Sequence, residues 1–124
     1  MESKRQLQVA EMILRNFSFV FQQEGLNIYG KEPLVTVTSV KVASDLQLAR
    51  IYISIYNTED KNAVLALIKE NEHRLKQSMY HRLRNQLRRM PVFEFFIDET
   101  LDEMYRVDAL FKKLEGSNNS PLNS

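Results

Sequence analysis

Cysteine is absent from the chain, and glycine is scarce. None of the 124 residues is cysteine and only three are glycine. Without thiols the chain has neither disulfides nor thiolate metal sites, which is compatible with a reducing cytoplasm, and so few glycines form no loop that could cradle phosphates. No apolar run approaches the roughly 18 residues of a membrane span, and no signal-peptide pattern stands at the beginning. We therefore expect a soluble, cytoplasmic protein that does not bind a membrane.

Catalytic constellations are also lacking. No serine, threonine or lysine stands in a nucleophile motif. His73 and His81 are eight residues apart, so they do not form the i, i+4 pair of a helical metal site. The carboxylates around Thr100 fit the dipole at a helix start better than an acid/base pair. We therefore predict no enzyme activity, no metal and no cofactor; a small nuclease is the weakest alternative.

Acidic residues are missing from one stretch. The formal net charge is only +1, yet residues 73–93 contain six Lys or Arg and no Asp or Glu. A solvated helix face normally interleaves both signs, whereas RNA phosphates would neutralise such a cluster. The plainer interpretation, a solvated basic face, stays open on charge alone. The six cations are Arg74, Lys76, Arg82, Arg84, Arg88 and Arg89.

The periodicity of this stretch predicts one amphipathic helix. At about 3.6 residues per turn, an apolar stripe lies opposite the arginines, and Lys76 falls on the apolar side. Pro91 ends the predicted helix, and the aromatic run 92–97 then favours a strand. The stripe consists of Leu75, Met79, Leu83, Leu87 and Met90.

The rest of the chain alternates between segments with helical periodicity and segments with strand periodicity. A helix capped by Ser3 is expected to end near Gly25, followed by a loop over 25–33. Two Val- and Ile-rich strands form an antiparallel hairpin with a bulge near Thr38–Ser39. A helix follows residues 57–60, burying Ala63, Val64, Leu67 and Ile68, and the phase slips at residues 71–73. Thr100 is predicted to cap a last helix over 101–114.

These elements predict an α+β fold. Their order is α-β-β-α-α-β-α, with a three-stranded sheet covered by helices on one face. We assign residues 1–115 to a single domain and expect residues 116–124 to form a disordered tail, since they have almost nothing to bury.

Two motifs resemble a known family. The order is similar to that of the type II KH domain. More narrowly, V-T-V-T-S-V-K-V-A-S-D-L-Q-L-A-R-I-Y-I-S at 35–54 and L-R-x-M-P-x-F-E-F-F-I-D-E-T-L-D-E at 87–103 resemble ribosome-binding factor A. The resemblance covers about residues 4–114.

The resemblance implies a non-enzymatic assembly factor. Such a protein binds the maturing small ribosomal subunit through its RNA, assists late maturation and rRNA processing, and is released by another factor such as a ribosome-associated GTPase. KH domains carry a G-x-x-G loop, and this family an A-x-G kink, where this chain has Asn71, Glu72 and His73. We expect a monomer that binds RNA through the six cations, with Arg50, Lys41 and either Lys4 or Arg5 extending the footprint.

Two further interpretations remain at this stage. A protein-interaction adaptor could use the acidic last helix, with Glu99, Asp102 and Glu103, as its contact surface. Tyr52 and Tyr56 could stack on bases, although packing at the sheet edge is the better-supported role for them.

Overall fold

The computed structural model describes residues 2–100. It contains three helices and a three-stranded mixed sheet, which confirms the α+β class. The predicted last helix over 101–114 and the predicted tail over 116–124 lie outside the described residues. In chain order the elements are α1 (Lys4–Tyr29), β1 (Leu34–Val42), β2 (Leu48–Tyr56), α2 (Lys61–Glu70), α3 (Glu72–Leu83) and β3 (Val92–Ile97).

Strand β2 lies at the centre of the sheet. It pairs antiparallel with β1, which confirms the predicted hairpin, and the register shifts between Val37 and Ser39, where the bulge was predicted. On its other side β2 pairs with β3 in parallel. A parallel neighbour requires a crossover connection, and α2 and α3 provide it.

The core lies between the helices and one face of the sheet. Ala49, Ile51, Ile53 and Ile55 all point to this face and are buried, as their alternation predicts. Phe17 of α1 is fully buried, and its ring meets two β3 rings edge-on at centroid distances of 4.9 and 5.6 Å. Edge-to-face packing adds to the apolar burial that holds α1 on the sheet.

Helix α1 begins as predicted but ends later. The Ser3 hydroxyl accepts the Gln6 backbone N–H, and the Gln6 side chain accepts the Ser3 N–H, forming a capping box. The end predicted near Gly25 is wrong, because the helix continues to Tyr29 and ends at Gly30, whose φ is 84°. Gly25 is instead buried inside the helix beneath the Tyr29 ring.

Helix α2 buries a narrower face than predicted. The Asp60 side chain accepts the Ala63 backbone N–H at 3.0 Å and caps the helix. Val64 and Ile68 are buried, but Ala63 and Leu67 are exposed. This ten-residue helix meets the core through Val64 and Ile68, with Leu65 packed beside them, and the flank that carries Ala63 and Leu67 faces solvent.

The predicted basic helix is shorter than its apolar periodicity suggests. Helix α3 ends at Leu83, whose carbonyl accepts N–H groups from both Gln86 and Leu87, at 2.8 and 2.9 Å. Residues 84–91 then form an irregular connection to β3. Leu87 and Met90 still pack against the core, so the spacing predicted their burial but not their conformation. The predicted helix end at Pro91 is therefore wrong, because α3 already ends at Leu83.

Candidate RNA-binding surface

Asn71 forms the junction between α2 and α3. Its backbone N–H donates to the carbonyls of Leu67 and Ile68, and its side-chain amide donates to Leu67 at 2.8 Å. Its own carbonyl accepts the Leu75 N–H at 3.0 Å, so one residue ends α2 and begins α3. Asn71 has φ and ψ of −100° and 18°, outside the left-handed region that favours glycine. The break therefore needs no glycine.

Helix α3 and its C-cap carry four exposed cations: Arg74, Lys76, Arg82 and Arg84. Lys76 and Arg84 are exposed and have no ion-pair partner among the described residues. They flank Tyr80, which is 52% exposed, at i, i+4 spacing, so the three side chains form one ridge. Next to the ridge, the rings and amide of His73, Gln77 and His81 also face solvent, and His73 Nε2 lies 3.2 Å from Gln77 Nε2.

Helix α1 holds the other two α3 arginines. Arg74 Nη2 lies 2.6 Å from a Glu24 carboxylate oxygen. Arg82 Nε donates to Asn16 Oδ1 at 2.8 Å, and its guanidinium lies 5.0 Å from the centre of the Phe19 ring. Residues 73–93 contain no anionic partner for Arg74, but α1 supplies one. These contacts fix the two guanidinium groups at the α1–α3 boundary.

Arg88 and Arg89 lie beyond α3, in the connection to β3. Both are exposed, and both line a cavity with Arg5 from the first turn of α1. Arg5 comes from the other end of the sequence, so charge counting within residues 73–93 does not find it. The end of the basic stretch and the start of the chain thus form one cationic rim.

Arg50 and Lys41 lie on the opposite side of the sheet. They alternate with buried strand residues and pair with each other in the register of β1 and β2, so they point away from the helices. Arg50 lies 3.9 Å from Glu94, and Lys41 lies 3.5 Å from Glu2. The structure therefore separates Arg50 and Lys41, on the outer sheet face, from the other six cations. Four of those six lie on α3 and its C-cap, and Arg88 and Arg89 lie beside the first turn of α1.

The two strand tyrosines have local partners. The Tyr52 ring stacks on Phe96 at a centroid distance of 5.5 Å and an interplanar angle of 27°. Lys61 Nζ lies 5.8 Å from the centre of the Tyr56 ring. Both rings thus pack against neighbouring side chains, but the predicted position at a sheet edge is wrong, because β2 is the central strand.

Asp98 serves as a structural carboxylate. The Thr38 hydroxyl donates to it at 2.6 Å, and the Thr100 backbone N–H donates at 3.0 Å. These hydrogen bonds, the one from Thr38 foremost, hold the pKa of Asp98 below its ordinary value. The carboxylate thus ties the end of β3 to the bulge in β1 and is kept ionised, which does not suit a proton donor.

Residues 2–100 contain neither a metal-binding cluster nor a membrane-spanning helix. No group of three His, Cys, Asp or Glu side chains there could hold a metal ion. Nor does any helix in that range combine the length and the apolar character that a bilayer span requires.

Comparison with known proteins agrees with this fold. The model of the ribosome-binding factor A family matches residues 5–111. The ribosome-binding factor A of Cytophaga hutchinsonii is 34% identical over 114 residues, covering 92% of this chain and 85% of that protein. The one from Chlorobaculum parvum is 35% identical over 113 residues, covering 90% and 92%.

Two solved structures share the architecture. The crystal structure of ribosome-binding factor A from Thermus thermophilus superposes with a TM-score of 0.61 at 19% identity, covering 74% of this chain and 94% of that one. A homology model of the Thermus thermophilus factor, fitted into a cryo-EM map of its complex with the 30S subunit, gives 0.56 at 24%, covering 72% and 90%. The family model spans most of the chain, and the curated relatives match along nearly their whole length: this protein belongs to the ribosome-binding factor A family.

Proposed function

We propose that this protein binds the small ribosomal subunit through its RNA and assists late subunit maturation and rRNA processing in the cytoplasm. Its family membership supports the proposal, as does the complex that the Thermus thermophilus protein forms with the 30S subunit. The monomer contacts RNA with its helix side. Release requires a second factor, for which a ribosome-associated GTPase is the candidate.

The choice of the RNA-binding surface rests on four exposed cations. Lys76, Arg84, Arg88 and Arg89 are exposed and have no ion-pair partner within residues 2–100. Four such cations repel one another unless anions neutralise them, and RNA phosphates do so while releasing counterions. Arg74 and Arg82, which α1 already orients, extend the same side. Arg50 and Lys41 each face a carboxylate on the outer sheet face, so we leave them out of this surface.

The proposed mechanism is differential binding. A protein shifts an RNA equilibrium only by as much as it prefers one conformation over another. The rigid helix side would favour an immature RNA conformation, and the protein would leave once maturation removes that conformation. No step in this mechanism needs an acid, a base or a metal.

The test is co-sedimentation with small subunits from assembling and mature pools. We expect the wild-type protein to prefer immature subunits and the double variant Lys76→Glu/Arg84→Glu to bind at least about tenfold more weakly, since each reversal replaces an attraction by a repulsion. The matched control is Lys41→Glu/Arg50→Glu, which makes the same charge change on the outer sheet face and should bind like wild type.

Two results would contradict the proposal. One is a wild-type protein that fails to sediment with either pool at low salt. The other is unchanged binding by Lys76→Glu/Arg84→Glu together with lost binding when Glu99, Asp102 and Glu103 are replaced by lysine. The second result would support the adaptor alternative, in which a protein partner binds the acidic residues.

A further inference from the structure

A cavity of about 530 Å³ lies where three segments meet. One wall is the first turns of α1, the second is the hairpin loop between β1 and β2, and the third is the connection from α3 to β3. Its size falls within the roughly 300–1,000 Å³ of small-ligand sites. It is lined by Arg5, Val9, Asp45, Leu46, Gln47, Leu87, Arg88, Arg89 and Pro91.

The lining is apolar inside and cationic at the rim. Val9 and Pro91 are almost fully buried, and Leu46 and Leu87 are half-buried. All four charged residues of the lining are exposed. Three of them are arginines, from α1 and the connection to β3, and the fourth is Asp45 from the hairpin loop, so the rim has a net positive charge. This combination suits a ligand that has both a flat apolar part and an anionic part.

The hairpin loop that forms one wall is held in place. The Leu46 N–H donates to the Ala43 carbonyl at 2.9 Å, and the Gln47 N–H donates to the Asp45 carboxylate at 3.0 Å. The Gln47 carbonyl in turn accepts the Val92 N–H at 2.9 Å, which joins the loop to the third wall. Leu46 adopts a φ of 61°, a strained conformation for a leucine that persists only where surrounding contacts impose it. The cavity is therefore built before any ligand arrives.

We propose that this cavity accepts one extruded nucleotide of single-stranded RNA. The base would lie on Leu46, Leu87 and Pro91, while Arg5, Arg88 and Arg89 would hold the flanking phosphates. Asp45 would repel a phosphate, so it sets the direction in which the nucleotide enters, and it can accept a hydrogen bond from a base amine. Proteins that bind single-stranded RNA hold unstacked bases together with the flanking phosphates, and in this cavity aliphatic side chains take the place of the usual aromatic rings. The inference rests on the proposed function for its choice of RNA.

The chain offers a matched pair of variants to test the site. Arg5 lines this cavity, whereas Lys4, its neighbour in the same exposed helical turn, lines a different groove along α1. Arg5→Glu and Lys4→Glu change the net charge equally and place an acid in the same first turn, where acids are tolerated. A difference between them therefore reports the cavity rather than the overall charge.

The probe is a five-nucleotide adenylate RNA, compared with the same sugar–phosphate backbone lacking all five bases. Titrations followed by fluorescence anisotropy and by amide chemical shifts should show wild type and Lys4→Glu binding alike, with Leu46 and Gln47 amides shifting. Arg5→Glu should bind about tenfold more weakly. The abasic RNA should bind at least about fivefold more weakly than the intact RNA, since the apolar contact of a base with Leu46, Leu87 and Pro91 is lost. Thermal unfolding of each variant checks that it folds.

The outcomes separate this inference from the proposed function. Equal binding by Arg5→Glu and Lys4→Glu, or equal binding of intact and abasic RNA, would overturn the nucleotide site. If the wild-type protein then still sediments with immature subunits, the proposed function stands alone. A wild-type protein that binds neither the oligonucleotide nor subunits would overturn both.

Discussion

At the residue scale, several side chains are paired with partners far away in sequence. Arg74 meets Glu24, and Arg82 meets Asn16, across the α1–α3 boundary. Residue spacing predicts which face of a helix a side chain occupies, but it does not show which other helix lies beside that face. The cationic surface was therefore predicted from composition, whereas the division into engaged and unengaged arginines required the fold.

The Thr38–Asp98 hydrogen bond is the residue-scale contact that pH can test. Because it lowers the folded-state pKa of Asp98, its contribution is present above the ordinary value of about 3.8 and is lost as the pH falls through the folded-state value. Thr38→Val should reduce the free energy of unfolding by about 1 kcal/mol at neutral pH, and by less below about pH 4. Urea unfolding of wild type and Thr38→Val, at neutral pH and below about pH 4, measures this loss of unfolding free energy.

Thr36→Val provides the control for this measurement. Thr36 is exposed on the same strand, so the substitution repeats the change in β propensity without removing the contact to Asp98. Its effect should be small and independent of pH. A Thr38→Val deficit that is the same at both pH values would show that the carboxylate does not contribute.

At the element scale, strands were predicted more closely than helix ends. Alternating Val and Ile residues indicated β1 and the buried face of β2, and the change of parity within β1 located the bulge. The end of α1 was misplaced because Gly25 and Gly30 are both possible terminators. Only the packing of Tyr29 shows that Gly25 is used for close approach and Gly30 for its positive φ.

Gly25 makes a prediction about α1. A Cβ built at this position would lie 2.7 Å from Cζ of Tyr29, so the ring would have to move. Gly25→Ala should therefore destabilise the protein by about 1 kcal/mol, because the displaced ring costs more than the roughly 1 kcal/mol that alanine gains in a helix. In a Tyr29→Ala background the same change should stabilise by about 0.5–1 kcal/mol.

The informative result is that Gly25→Ala should lower the free energy of unfolding in the wild-type background and raise it in the Tyr29→Ala background. Thermal or urea unfolding of the four proteins gives the coupling between the two positions. If Gly25→Ala stabilised both backgrounds equally, the glycine would not be required for the packing of Tyr29, and its place near the end of α1 would have no explanation in the structure.

At the scale of the whole molecule, the sheet separates two charged surfaces. One three-stranded layer with helices on one side turns every second strand residue outward, so Arg50 and Lys41 cannot share a surface with Arg84. From the sequence, all of these cations were predicted to form one footprint, because the sequence does not show which face of the fold each charged residue occupies. The parallel pairing of β3 was likewise not predictable, since it depends on how α2 and α3 cross the sheet.

This separation predicts how salt acts on subunit binding. Each phosphate contact contributes a slope of about 0.7–0.9 to the decrease of log affinity with log salt concentration. Lys76→Gln/Arg84→Gln removes two contacts without adding repulsion, so the slope should fall by about 1.5 between roughly 50 and 200 mM salt, as measured by co-sedimentation. Lys41→Gln/Arg50→Gln removes the same charge from the outer sheet face and should leave the slope unchanged. An equal fall for both pairs would mean that RNA reaches both faces of the sheet, and a fall for the outer pair alone would move the RNA-binding surface to the face opposite α3.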